Sequence, residues 1–460
     1  MLLVAWVGAC AAFAWATRRR PLVTLITVLV LWIAIPAVAT SLFTGHAPGP
    51  LAVHPAVWLV LAMLAAQLLH GPARIVEVLS RHVFLVLTIG LVVAVATLTT
   101  QQSGTGGLAL LIDVVVAPVV LFLLLLAVVD GDRRGVETIR NLLLALGAGA
   151  SALAVVQWLA GSVLIYQASH ETRWWFVREG FDRWMATFDH PLILSMFLCV
   201  VAPLIVGLRR ARMQLALVVL FTAGVTITQS RSGVVVVAVV AVWVVLRSRA
   251  PAHVRLLSLC LLAIGAAALL SSSLVEGVGE RFADDTGSTG ARTDALSFFG
   301  RTWQDYLVVG YGLTSSYGIA ADSGLVASLE NSFLMYAVDM GLVFAVLYFG
   351  AQAVLVARAW SSSGHLPGAR QGALIAFLLP LTFSALAARS AAGTVLWVAL
   401  ALGVARLTTK DDGVDDDGVA APERDHAVRG AGPQTRPSPR QGAVEVPLSR
   451  RTSTGAPLSA

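Results

Sequence analysis

Charge is what this chain has least of. Asp, Glu, Lys and Arg make up 13% of its 460 residues, against 57% hydrophobic residues. A soluble domain carries charge on about a quarter of its positions. A chain this poor in charge cannot cover its surface against water. That excludes two or three ordinary soluble domains and makes lipid the main solvent. Cysteine is nearly absent as well. Cys10, Cys199 and Cys260 each lie inside an apolar run, which excludes a disulfide framework and a Cys-based zinc site. No GxxxxGK[ST] phosphate loop and no Rossmann glycine pattern occurs, so nothing marks a nucleotide site. Lysine is reduced to Lys410 alone against thirty-one arginines, a bias of codon usage that suggests a GC-rich bacterial genome. The net charge of +6 does not point to nucleic acid. From Arg406 onward eight basic and eight acidic residues cancel, so the whole excess belongs to the apolar part.

What is present is a series of long apolar runs. A membrane-crossing helix needs about 20 mostly apolar residues, because about 30 Å of hydrocarbon is spanned at 1.5 Å per residue. Runs of this kind occupy 2–17, 22–43, 51–69, 83–100, 108–129, 141–160, 191–208, 213–228, 233–246, 256–273, 333–356, 372–388 and 391–405. They are uninterrupted rather than alternating at period two, which excludes a strand barrel. The expected fold is all-α, a polytopic transmembrane helical bundle of about 12–13 spans. It carries a large extracytoplasmic loop between late helices.

Short loops rich in arginine stay in the cytoplasm. Clusters at Arg18–Arg20, Arg74 with Arg81, Arg133–Arg134 with Arg140, Arg209–Arg212, Arg247–Arg255 and Arg358 with Arg370 fall in every second loop. This alternation predicts an outer N-terminus and an inner C-terminus. The membrane domain then covers 1–405, with long outer loops at 161–190 and 274–332. From Arg406 to Ala460 the chain turns to Asp, Gly, Pro, Ser and Arg without apolar period, the composition of a disordered cytoplasmic tail. The first apolar run precedes its charges instead of following them, so it is a retained helix and not a signal peptide.

Chemistry has to sit on the outer face, because the inner loops hold little but arginine. Without a nucleotide site, the substrate must arrive already activated and already in the membrane. In loop 161–190, Trp174, Trp175, Phe176, Phe181 and Trp184 suit the headgroup region, and Arg173, Arg178 and Arg183 between them can meet phosphates. Asp189 and His190 stand at the mouth of a helix that Pro191 can begin. In the turn T-Q-S-R-S-G at 228–233, Arg231 stands where short loops avoid positive charge. An arginine at membrane depth costs several kcal/mol unless paired, and a guanidinium grips phosphate in a two-pronged way. In the second loop Ala295, Phe298, Phe299, Trp303 and Tyr306 recur at spacings of three or four, the mark of a short amphipathic helix over 292–308. Arg281, Arg292 and Arg301 offer a second cationic cluster. Glu330 and Asn331 precede the next helix, where a capping role and a catalytic role are both open. Asp284 and Asp285 are adjacent loop acids with no assigned metal. Asp113 and Asp339 lie inside apolar runs, where pairing with a buried polar group is the expected role.

Four stretches in this order, ATFDHPLILSMFL (186–198), TQSRSGVVVV (228–237), GARTDALSFFGRTWQDYLVVGYGL (290–313) and ENSFLMYAVDMGLV (330–343), resemble the bacterial O-antigen ligase and O-antigen polymerase superfamily. The resemblance implies transfer of a polyprenyl-diphosphate-linked glycan to an acceptor hydroxyl, itself on a glycan or lipid-linked glycan, outside the bacterial cytoplasmic membrane. It implies that Arg231 and Arg292 hold the diphosphate; Arg281, from the second cationic cluster, is a further candidate for the same anion. Glu330 takes the position where ligases usually have His, and Gly341 matches the glycine that follows. The exchange of His for Glu leaves ligase and polymerase side by side. Arg183, His190 and Asn331 are further substrate-binding candidates. No metal or other cofactor is expected, since guanidinium groups can stabilise a departing diphosphate. The alternatives are a transporter or flippase for the same lipid-linked glycan and a peptidoglycan polymerase of the shape-and-division type.

Overall fold

In the computed structural model the described residues are 1–173, 176, 183–248, 251–270, 286–325, 328–361, 364 and 366–407. Among them every regular element is a helix or helical turn. Arg281, Trp174, Trp175, Arg178, Phe181, Asp284, Asp285 and the tail from 408 onward lie outside the described residues. Chain contacts separate Met1–Lys410 from Asp411–Ala460, and only the first unit is described.

The helices begin where the sequence supplies a start. Proline opens Pro21–Ala34, Pro55–His70, Pro72–Arg81 and Pro191–Val201, where its missing N–H costs nothing. Side chains of His54, Asp132, His190, Ser230 and Asn331 accept from first-turn amides of the helices they precede. Four helices are long and apolar enough to cross a membrane: Val83–Ser103, Leu108–Val129, Arg133–Ala160 and Leu342–Ser361. Two bent pairs, Pro21–Ala34 with Ala37–Thr44 at 93° and Pro55–His70 with Pro72–Arg81 at 108°, raise that to six. Leu2–Ala16, Pro191–Gly207, Ala211–Ile227, Ala369–Leu381 and Ala392–Val404 are apolar but shorter. The fold is an all-α polytopic bundle whose runs are more often bent and interrupted than the sequence implies. The run expected at 372–388 stops early. Its helix ends at Leu378, a 3-10 turn holds Leu379–Leu381, and 382–391 is a loop. Pro380 removes an amide that a continuing helix would need.

Hydrogen bonds between loops gather them at two ends. At one end Gly131 donates to the Arg406 carbonyl at 3.0 Å, Arg140 to that of Gly207 at 3.1 Å and Leu407 to that of Gly364 at 3.0 Å. At the other end lie the described residues of the loops near 35–54, 104–107, 161–173, 183–190, 228–230, 303–325, 328–331 and 382–391. Trp32, Phe122, Tyr336, Tyr348 and Trp397 fill the core between them, all fully buried.

One ion pair ties the second end to the core. Asp113 sits in a π-helical turn, Ile112–Val116, inside the span Leu108–Val129. Its Oδ2 accepts from Arg389 Nε at 2.7 Å, and its Oδ1 accepts from the His54 amide at 2.8 Å. Arg389 also donates to the Ala52 carbonyl. The buried carboxylate therefore pairs with a half-buried cation, as its cost demands. Removing one partner of such a pair strands the other charge at a cost of about 3–5 kcal/mol. Arg389→Ala is expected to lower unfolding stability in detergent by about that amount, and Arg389→Gln combined with Asp113→Asn to recover part of it. Thermal unfolding of the three proteins checks this. Equal melting temperatures would show that the pair anchors nothing.

Candidate functional site

The long loop before Ser332–Met340 is folded onto that helix by backbone contacts that only glycine permits. Tyr311 N donates to Val338 O at 3.0 Å, Gly312 N to Asp339 O at 2.8 Å, and Val343 N to Leu307 O at 3.0 Å. A Cβ on Gly310 would collide with the Asp339 carbonyl, and one on Gly341 with the Val308 carbonyl. Gly341 also has φ +105°, a conformation essentially confined to glycine. The Asp339 carboxylate completes the clasp. It is fully buried and accepts from Ser316 N at 2.7 Å and Thr314 N at 3.2 Å. Its role is to pin backbone, in keeping with the pairing expected for an intramembrane acid.

This clasp fixes the helix that carries Arg292. That helix runs Thr286–Thr302 and continues as a 3-10 turn through Tyr306. It starts six residues earlier than the pattern 292–308 suggests. Ala295 and Tyr306 are buried, and Phe298, Phe299 and Trp303 pack against the core, as their spacing predicts. Arg301 is exposed. Arg292 reaches Glu330, Nε to Oε2 at 3.4 Å, and its Nη2 donates to the Thr382 carbonyl at 3.4 Å.

Of Glu330 and Asn331, only one takes the capping role. Asn331 is the cap: its Oδ1 accepts from Phe333 N at 2.8 Å and Leu334 N at 3.3 Å, while its Nδ2 donates to Leu381 O at 2.8 Å. Glu330 is relieved of capping and held at φ +47°, a left-handed conformation costly for a non-glycine residue. Its side chain is 29% exposed and that of Arg292 53%. An ion pair this accessible contributes only about 0–1 kcal/mol to stability, so it opens readily for another anion.

A second cationic group forms on the turn before helix Arg231–Arg247. Arg183 Nε donates to Thr228 O at 2.9 Å, Ser230 caps the helix, and Arg231 is its first residue. A cation at a helix N-terminus runs against the dipole, and an anion at the same place is rewarded by both. Gly233 in this turn packs directly on Ser195 of the helix that His190 begins. The structure thus brings Arg292 to Glu330, and Arg183 to the turn that bears Arg231.

Other candidates hold backbone. His190 Nδ1 accepts from Leu192 N at 3.1 Å. Asp189 accepts from Val38 N at 2.9 Å, and burial pushes its carboxyl up to about 6. Trp184, expected among headgroups, is 8% exposed and belongs to the core. Phe176 leans on His170 with ring centroids 5.7 Å apart.

Residues 216–349 match the family model described as O-antigen ligase. The match makes this segment similar to that family. It covers Arg231, Arg292, Glu330, Asn331 and Gly341, and it stops before the loop 382–391. No curated protein matches the chain. The contribution of that loop is what sequence reasoning missed. Leu381, Phe383 and Leu386 receive Asn331, Ser332 and Tyr336 through backbone carbonyls, which leave no side-chain signature. Arg389 did leave one, since it stands between the apolar runs 372–388 and 391–405, where a cation is costly unless paired.

Two expectations follow. Gly341→Ala should lower both stability and any transfer activity although the residue faces no substrate, because the backbone at Val308, which follows the Arg292 helix, must move away; retention of both would remove the clasp. Burial and the nearby Arg183 lower His190 to about 3, against about 6.5 in an unfolded chain. Its contribution to stability is therefore complete above about pH 6.5 and is lost as pH falls from there toward about 3. His190→Asn, which keeps a capping oxygen, should flatten the decline in melting temperature between about pH 6.5 and pH 4. An unchanged slope would refute the assignment.

Proposed function

We propose that this protein is a membrane glycosyltransferase that joins a polyprenyl-diphosphate-linked glycan to an acceptor hydroxyl at the outer face of the bacterial cytoplasmic membrane. The observation that carries the reading is the Arg292–Glu330 pair beside the Thr382 carbonyl, inside a segment that matches the O-antigen ligase family. An inverting transfer needs a base for the acceptor proton and positive charge for the leaving diphosphate. Glu330 takes the proton, the acceptor oxygen bonds to the anomeric carbon, and the bond from that carbon to the diphosphate oxygen breaks. The polyprenyl diphosphate leaves with the electron pair, and Arg231 and Arg292 meet its charge, with Arg281 assigned to the same anion. Arg183 supports Arg231 from the shared turn, and Asn331 fixes the backbone that presents Glu330. His190 caps the helix whose Ser195 packs against Gly233, behind the Arg231 turn. The donor enters laterally from lipid, and the arginine-rich end of the bundle, with the tail, faces the cytoplasm.

Donor consumption by the purified protein in detergent, with an acceptor glycan present, tests this. A positioned general base contributes about 10²–10⁴-fold, so Glu330→Gln should lose activity on that scale with its fold intact. Arg231→Ala and Arg292→Ala should each lose about 10²-fold or more. Glu330→His should keep measurable transfer. Full activity in Glu330→Gln would remove the carboxylate from the mechanism. A protein that moves the donor across vesicles yet consumes none in detergent would be a flippase instead.

A further inference from the structure

We propose that the arginine-rich end of the bundle holds a built site for the phosphate of an anionic phospholipid headgroup, lined by Arg18, Arg19 and Arg74. The cavity there has a volume of about 510 Å³, within the range of small-molecule pockets. It lies between the Arg18–Arg20 turn and the break between Pro55–His70 and Pro72–Arg81. Three arginines and His70 form its polar side, and Leu124, Ala127 and Val128 form an apolar wall.

The cavity's charge is not neutralised from within. Among the described residues Arg18, Arg19 and Arg74 form no ion pair; Glu77 and Asp130 are both taken by Arg81. Arg18 donates to the Trp15 carbonyl and lies over that indole, 4.6 Å from the ring centroid, so no acid competes for it. Two helices, Pro21–Ala34 and Pro72–Arg81, open at the cavity without a capping side chain, and their dipoles add to the same positive field. Gln67 braces the arginine turn by donating to the Arg18 carbonyl at 3.0 Å.

The apolar surroundings select a lipid over a free anion. Pro72–Arg81 runs at 108° to the preceding helix, buries Ile75 and Val78 and exposes Val76. That is the habit of a helix lying in the membrane interface. Leu68 and Leu69 beside the break are 43% and 77% exposed. A headgroup phosphate at the arginines therefore leaves its acyl chains running along the exposed Leu68 and Leu69. Basic pockets between helices on the cytoplasmic side are a recurring setting for anionic headgroups.

The test uses full-length protein in micelles, titrated by native mass spectrometry with phosphatidylglycerol, phosphatidylcholine or inorganic phosphate. Phosphatidylglycerol should bind in preference to phosphatidylcholine, and inorganic phosphate should not displace it. Arg19→Gln with Arg74→Gln should weaken phosphatidylglycerol by roughly 20- to 30-fold, about fivefold per arginine. Arg19→Lys with Arg74→Lys should keep most of the binding, and it serves if the glutamine protein fails to fold. Equal retention of the two lipids by wild type, unchanged binding in the glutamine variant, or displacement by inorganic phosphate would each overturn the proposal. None of these readouts depends on glycan transfer.

Discussion

The Asp113–Arg389 pair is the interaction on which the candidate site rests. A carboxylate inside an apolar span is tolerable only if a cation comes to it, and the cation comes from the loop 382–391. By pulling Arg389 against Asp113 and the Ala52 carbonyl, the core fixes where that loop can run. The loop in turn offers carbonyls to Asn331, Ser332, Tyr336 and Arg292. Arg292 and Glu330 are therefore placed through a chain of contacts that begins with one buried charge. Beyond Arg389 much of that chain is backbone, so side-chain substitution elsewhere along the loop leaves it largely in place.

Conformational strain is distributed unevenly along the molecule. The non-glycine residues with positive φ among those described are Tyr166, Ala186, Gln229, Thr314 and Glu330, and all belong to the end that bears the candidate site. Each such conformation costs about 1–3 kcal/mol and persists only where surrounding contacts over-determine it. The contacts are visible. Gln157, buried in a span, braces Ala186 through both of its backbone groups at 2.9 and 3.0 Å. Asp339 holds the amide of Thr314, and the Asn331 cap follows Glu330 directly. Gln229 is set one residue before the cap that presents Arg231. Among the described residues of the arginine-rich end, positive φ falls on glycines, Gly131, Gly364 and Gly368. Rigidity has been concentrated where two cationic groups and a carboxylate are held.

The fold class was legible because hydrophobicity in a bilayer is nearly sufficient to specify helix. The amphipathic spacing of Ala295, Phe298, Phe299, Trp303 and Tyr306 was legible for the same kind of reason, since it reports one buried face. Breaks in the spans were not. The 93° bend after Ala34 and the end of the helix at Leu378 depend on prolines that a hydropathy run absorbs without a dip. The acids inside the runs announced partners but not which ones, because Asp113 and Arg389 are 276 residues apart. Gly310 and Gly341 could be seen as glycines in a recurring pattern. That they face each other's strand of backbone, one against Asp339 and the other against Val308, is a tertiary fact that no local signal contains. The same holds for Trp184, whose aromatic segment reads as interfacial while its own side chain turns inward.

On the proposed chemistry, a glutamate in place of histidine changes what donor binding must do. A neutral imidazole needs no counter-ion, so it stands ready beside an arginine whether or not substrate is bound. A carboxylate in the same place is drawn to the guanidinium, as Glu330 is to Arg292. Its lone pairs are then partly committed before any acceptor arrives. Diphosphate is the better ligand for a guanidinium, because it offers more charge and a two-pronged geometry. Donor binding therefore draws Arg292 away and leaves the carboxylate free for the acceptor hydroxyl. The exposure of the pair makes this exchange inexpensive, and the strained backbone at Glu330 keeps the released carboxylate from collapsing onto the helix that Asn331 already caps. An empty site is then held with its base masked, and the donor itself unmasks it.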